Sequence, residues 1–334
     1  MKKTKVLRLF IAISIALLFV IPSAYSAEYA NPQLLVSPAD IEKNKDKWVV
    51  IDCRDDKAYA AGHIPGAINL GGPCAKVLRD TTARVKKTGA LEKLLGEAGV
   101  SMGKPVVVYA NTAGITSATV AFWILEYLGH DKVYFLNGGI DAWEAVGKPL
   151  EKSSAVSPLM ESKTASMLKP ATFTAKVVKS RIATTDEVVK IAKGDIKDVN
   201  VIDSRSEKEH AGTDIRALRG GHIPNTTIHV SHTDTLTDEG KIFSANGLGK
   251  AGIFGTLDKK KRTIGYCQTG TRSTLTYLEL RLMGFKDPAN YDDSWIVYGS
   301  NVNYPVVNEN WFDFVKANAA IKDVEALKKG ALQK

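Results

Sequence analysis

One stretch of the 334-residue chain places a nucleophile where its surroundings would activate it. In Tyr266-Cys267-Gln268-Thr269-Gly270-Thr271-Arg272-Ser273 a cysteine leaves an apolar run, a loop of glycine and hydroxylic residues follows, and a helical pattern begins. A loop of that composition can turn its backbone N–H groups inward, making an anion cradle at the positive end of the helix. A thiolate there is stabilised by those dipoles and by Arg272, so its pKa falls below the ~8.5 of a free cysteine. The thiolate is the nucleophile, and the cradle would hold the anion that forms on it. On the loop alone, a buried and inert cysteine used as an apolar filler stays equally open.

The elements that must position this loop occur twice. Trp48-Val49-Val50-Ile51-Asp52-Cys53-Arg54 reads as a buried strand ending in Asp-x-Arg, and Val199-Asn200-Val201-Ile202-Asp203-Ser204-Arg205 repeats it 151 residues later. Gly62-His63-Ile64-Pro65 recurs as Gly221-His222-Ile223-Pro224; here the offset is 159, because the second copy carries a longer connection. The strand Val106–Tyr109 corresponds to Thr263–Tyr266, and helical patterns follow at Ala118–Leu128 and Ser273–Met283. Trp143, closing Gly138-Gly139-Ile140-Asp141-Ala142-Trp143, matches Trp295, closing Tyr291-Asp292-Asp293-Ser294-Trp295. Four landmarks in one order, twice, predict two homologous α/β domains, each a mostly parallel sheet flanked by helices. They are expected at 31–150 and 171–316, with a Ser-, Ala-, Lys- and Pro-rich linker over 151–170 and an Ala- and Lys-rich, helical tail over 317–334. Only the second copy has the nucleophile: Ala110 stands where Cys267 stands, and the loop Asn111–Ser117 lacks arginine.

Composition sets the outer bounds. A hydrophobic fraction of 44% excludes collagen-like and wholly disordered chains, and three cysteines exclude a disulfide framework. No C-x-x-C occurs, so no metal site of paired cysteines is expected, and no cofactor is called for. Lys2, Lys3, Lys5 and Arg8 precede an uncharged run, Leu9–Ile21, then Pro22 and the small residues Ser23-Ala24-Tyr25-Ser26-Ala27. That is the pattern of a secretory signal over 1–26, and the apolar run is shorter than the ~20 residues of a membrane span. Export to a periplasmic or extracellular location is the expectation, with no stable membrane span in the mature chain. Loss of the signal removes four basic residues and no acidic ones, taking the net charge from +9 to +5. The cluster Asp258-Lys259-Lys260-Lys261-Arg262 lacks interleaved aromatics and reads as a solvated turn, not a nucleic-acid patch.

Asp-x-Arg, Gly-His-Ile-Pro, a cysteine-led loop and a tryptophan near the domain end together resemble the rhodanese family, in tandem, over roughly residues 31–312. The C-terminal Tyr291–Trp295 followed by Tyr304-Pro305-Val306 is similar to the end of the two-domain thiosulfate and mercaptopyruvate sulfurtransferases. The resemblance implies sulfur transfer: Cys267 takes sulfane sulfur from a small donor, becomes a persulfide, and passes the sulfur to a thiol or cyanide acceptor. It makes Gln268, Thr269, Gly270, Thr271 and Arg272 the substrate-binding cradle, with Arg272 its cation. Asp203, Arg205 and His222 match framework positions that fix loops. Cysteine phosphatases on a related fold use C-x5-R; the C-x4-R here, one residue shorter, suits a single sulfur atom and makes phosphatase the weaker enzymatic reading. The family's usual second substrate-binding arginine is replaced by Glu209, next to His210, and an acidic group near the cleft is not expected to favour a dianionic donor. That departure keeps open a non-enzymatic sulfane-sulfur carrier or a protein-binding or redox module; a protein acceptor is not specified. Cys53 and Cys74 are either a disulfide, if the chain is exported, or two buried thiols.

Overall fold

The computed structural model describes residues 29–153, 169–249 and 252–315. The expected signal (1–26), most of the expected linker and the expected tail (317–334) lie outside the described residues. The first domain holds strands β1 (Leu35–Val36), β2 (Val49–Asp52), β3 (Ile68–Asn69), β4 (Val106–Tyr109) and β5 (Val133–Leu136). The second holds β6 (Ile182–Ala183), β7 (Val199–Asp203), β8 (Arg219–His222), β9 (Ile228–His229), β10 (Arg262–Tyr266), β11 (Asp287–Tyr291) and β12 (Val307–Trp311). Each domain has one five-stranded parallel sheet, in the orders β1-β5-β4-β2-β3 and β6-β11-β10-β7-β9, which are the same order in chain sequence. An antiparallel ribbon, β8 with β12, occurs among the described residues only in the second copy.

Every residue of β2 and β4 is buried, as the unbroken apolar runs require of strands covered on both faces. The helices Ile115–Tyr127 and Ser273–Leu282 follow β4 and β10 in the two copies. These two helices pack on each other across the domain boundary, and Thr119 and Thr274 share a hydrogen bond of 2.8 Å there. One apolar cluster runs through both domains, with Val108, Phe122 and Trp123 from the first and Leu275, Leu278 and Phe285 from the second.

The expected domain boundary at 171 differs from the packing. Ala171, Lys176 and Val178 donate backbone hydrogen bonds to Gly96, Leu128 and Tyr127, and Phe173 is buried. The chain therefore runs along the first domain before entering the second. Cys53 and Cys74 form a disulfide, which ties the end of β2 to the short helix Cys74–Val77 and leaves Cys267 as the free cysteine. Among the described residues no helix is long and apolar enough to cross a membrane, and no cluster of His, Cys, Asp and Glu could hold a metal ion.

Candidate active site

Asp-x-Arg builds the same frame in both copies. Arg205 folds back on Asp203 through Nε and Nη2 and donates to the Gly221 carbonyl (2.7 Å). Arg54 does the same with Asp52 and Gly62. The tyrosine ending the next strand donates to the aspartate, Tyr266 to Asp203 (2.9 Å) and Tyr109 to Asp52 (2.8 Å). Each tyrosine hydroxyl also accepts the N–H of the isoleucine in Gly-His-Ile-Pro, Ile223 or Ile64. A fully buried carboxylate is costly unless it is paired and hydrogen-bonded. Burial alone would push the Asp203 carboxyl up, but Arg205 and His210 outweigh it and hold it well below the ordinary range. His222 Nδ1 meets the His210 carbonyl (3.0 Å), and its ring stacks on His210.

The cradle is formed by what grips it from outside. Trp295 N–H donates to the Cys267 carbonyl (3.0 Å) and Ile296 N–H to that of Gln268 (2.9 Å). Arg79 Nη1 donates to the Thr269 carbonyl (3.1 Å), and Asn290 Nδ2 to that of Gly270 (3.0 Å). In a trans peptide the C=O and N–H of one unit point in opposite directions. Four carbonyls held outward therefore turn the N–H groups of residues 268–271 toward the loop interior. Gly270 has φ +70°, and a Cβ there would lie 2.5 Å from the Asp292 carbonyl oxygen, so glycine is required. The Gln268 side chain donates through Nε2 to the Arg216 carbonyl (2.6 Å). Thr271 Oγ1 accepts from Arg79 (2.7 Å) and lies 3.4 Å from Thr269 Oγ1.

Cys267 is fully buried at the head of this loop. Burial pushes its thiol pKa up, but the Arg272 charge and the backbone N–H groups of Ser273 and Thr269 outweigh it, leaving the thiol below its ordinary value. Arg272 reaches past the sulfur to Glu209 in a bidentate pair, 2.7 and 2.8 Å. Glu209 is buried, and it also accepts from Ser206 N–H (3.1 Å) and Oγ (3.0 Å) in a capping box. Burial opposes its ionisation, yet Arg272 and Ser206 bring its carboxyl down to about 2. Glu209, expected as an acidic group near the cleft, is not an isolated negative charge: it pairs with both Arg272 and Arg216.

Sequence reasoning missed three residues. Arg216 lies 3.3 Å from Glu209 and has a half-exposed side chain; its signal was the longer connection before Gly221. His232 sits within the field of Arg272, and burial together with that charge drops its pKa to about 4, so it is neutral near pH 7. Arg79 comes from the first domain and had no signal in the local pattern. A cavity of about 480 Å³ lies elsewhere, between Ser37, Asn137, Ala145 and Lys241, and takes no part in this site.

The family model described as "Rhodanese-like domain" matches residues 37–146 and 184–300. A Mycobacterium leprae protein named "Putative thiosulfate sulfurtransferase" is 33% identical over 293 residues, spanning 83% of this chain and 98% of its own. The thiosulfate sulfurtransferase of Corynebacterium glutamicum is 30% identical over 300 residues, 84% of this chain and 92% of its own. Among solved structures, the anaerobic ergothioneine biosynthesis enzyme of Chlorobium limicola superposes with a TM-score of 0.72 at 20% identity, over 83% of this chain and 70% of that one; at that identity it speaks for the fold alone. With both copies matched and relatives alike over nearly their whole length, the chain belongs to the rhodanese family of sulfurtransferases, carrying two rhodanese-like domains of which the second holds the cysteine.

Proposed function

We propose that the chain carries sulfane sulfur as a persulfide on Cys267. The carrying observation is a lone free thiol, its pKa lowered, at the head of a loop whose N–H groups face inward. With thiosulfate as donor, the Cys267 thiolate attacks the outer sulfur, the S–S bond of the donor breaks, and sulfite leaves with the bonding pair. The new Cys267–S–S⁻ is held by the cradle N–H groups and Arg272. A thiolate or cyanide then attacks the terminal sulfur, and the Cys267 thiolate leaves. No net oxidation or proton transfer is needed in either half. Thiosulfate is favoured by the names of the relatives and by charge: two guanidinium groups, Arg272 and Arg216, face the one carboxylate of Glu209, and Arg216 is half-exposed toward a sulfonate at the rim. Mercaptopyruvate is the second donor to try. The secretory pattern of residues 1–26 and the Cys53–Cys74 disulfide support an oxidising, exported location.

The test is the intact mass of purified protein after incubation with thiosulfate or 3-mercaptopyruvate. Wild type should gain one sulfur atom and lose it again on adding cyanide or a thiol. No gain from either donor overturns the proposal; a gain that survives in Cys267→Ser overturns the residue assignment. A gain without release to any acceptor marks a carrier, not a turning-over enzyme.

A further inference from the structure

The first domain has no nucleophile, yet one of its side chains grips the catalytic loop of the second. Arg79 is 2% exposed, and its guanidinium makes three contacts in the second domain. Nη1 donates to the Thr269 carbonyl (3.1 Å) and to Thr271 Oγ1 (2.7 Å), while Nη2 pairs with the Asp292 carboxylate. Asp292 is held in turn by Val85 N–H (2.8 Å), again from the first domain. Of the four outside grips on the carbonyls of residues 267–270, three come from within the second domain. The grip on Thr269 comes from Arg79 alone. It fixes the peptide unit that carries the Gly270 N–H, at the one loop position with positive φ, where the chain has most freedom to turn the other way.

We propose that Arg79 is a positioning residue for the Cys267 cradle, supplied across the domain boundary by the copy that cannot itself react. It does not touch the sulfur; through the Thr269 carbonyl it sets the direction of the Gly270 N–H, in the same loop as the Thr269 and Ser273 N–H groups that stabilise the thiolate. The planar fork matches this geometry, because a lysine ammonium cannot reach three acceptors set apart along one edge. The mount is rigid as well: Arg79 follows the helix Cys74–Val77, whose first residue is bonded to Cys53 at the end of β2. The orphaned Nε, buried and without a partner, shows the side chain committed to the loop at the expense of one of its own donors.

The inference rests on the cradle reading of the loop but is tested apart from sulfur transfer. The variants are Arg79→Met, Arg79→Lys and, as control, Arg84→Ala, which removes another ion pair between the domains, Arg84–Asp293, without touching the loop. The pH midpoint of Cys267 alkylation should rise by about one pH unit in Arg79→Met, as expected when the loop N–H groups around the thiolate lose their alignment. The rate of persulfide formation per folded molecule should fall by roughly 100-fold, the scale of a small misplacement in a reacting site. Arg79→Lys should fall between, and Arg84→Ala should match wild type in both readouts. If Arg79→Met does not fold, Arg79→Lys carries the test. A wild-type alkylation midpoint in the folded Arg79 variant, or an equal rise in Arg84→Ala, overturns the proposal. Should wild type accept no sulfur while Arg79→Met still raises the midpoint, the sulfur-transfer reading fails and the positioning role stands.

Discussion

Replacing Glu209 by glutamine tests the charge balance of the site. In the folded protein the Glu209 carboxyl lies at about 2 against an ordinary 4.5. A displacement of one pH unit in a pKa corresponds to ~1.4 kcal/mol, so the ionised carboxylate contributes about 3 kcal/mol, and about 2–3 kcal/mol after allowing for screening where Arg272 and Arg216 reach water. The folded-state pKa is depressed, so this stability is present above pH 4.5 and is lost as pH falls toward 2. Urea unfolding of wild type and Glu209→Gln at a series of pH values measures it. The gap between the two proteins should be full near pH 6 and shrink by about 2–3 kcal/mol by pH 2, because a neutral acid and an amide are then alike. A second consequence runs the other way. With the carboxylate gone, Arg272 acts on the thiolate alone, so Cys267 should alkylate with a lower midpoint than in wild type. A gap that stays constant from pH 6 to pH 2 would refute the pairing, as would an alkylation midpoint that rises.

Other outcomes follow from the same geometry. The thiol of Cys267 should titrate below the ~8.5 of free cysteine in folded protein and return to it in urea, as followed by iodoacetamide labelling. Gly270→Ala places a Cβ 2.5 Å from the Asp292 carbonyl oxygen and 2.8 Å from Arg79 Nη2, so persulfide formation should be lost while Cys267 still labels once the protein is unfolded. Tyr266→Phe removes the hydroxyl that joins Asp203 to Ile223 N–H and should cost about 1–3 kcal/mol in unfolding free energy, since both buried partners lose a bond. Converting both Cys53 and Cys74 to alanine opens a closure of 21 residues and should lower stability by about 3 kcal/mol by denaturant titration.

Much of this was legible from the chain because the information was local or repeated. Asp203, Arg205 and Tyr266 lie at strand ends whose apolar runs announce them, and the matching Asp52, Arg54 and Tyr109 of the first copy support the reading. That the two sheets are alike follows from two α/β units with the same landmarks; the strand order itself comes from the structure. What sequence could not show was pairing between distant side chains. Glu209 looked like a hostile charge because its capping box is local but its bond to Arg272 spans 63 positions. Arg79 sits 190 positions from the Thr269 carbonyl that it holds, in a domain that lacks a nucleophile. Whether Cys53 meets Cys74 depended on the path of the chain between them, which spacing leaves open. The path of the chain near residue 171 was not legible because Phe173 is one aromatic in a polar stretch, and only the structure shows it buried beside His130 of the first domain.

The apolar cluster that runs through both domains has a consequence for how such a chain can change over time. Two copies that share one apolar cluster, beside a smaller cluster in each, should unfold together, so cutting one away should loosen the other. The first copy is thus held to its packing whatever its own chemistry. Ala110 there carries no reactive group, yet it belongs with Trp123 and Phe122 to that cluster. A truncation that keeps only the half with Cys267 would expose Leu275, Leu278 and Phe285 to water, and should yield an aggregating fragment instead of a small enzyme.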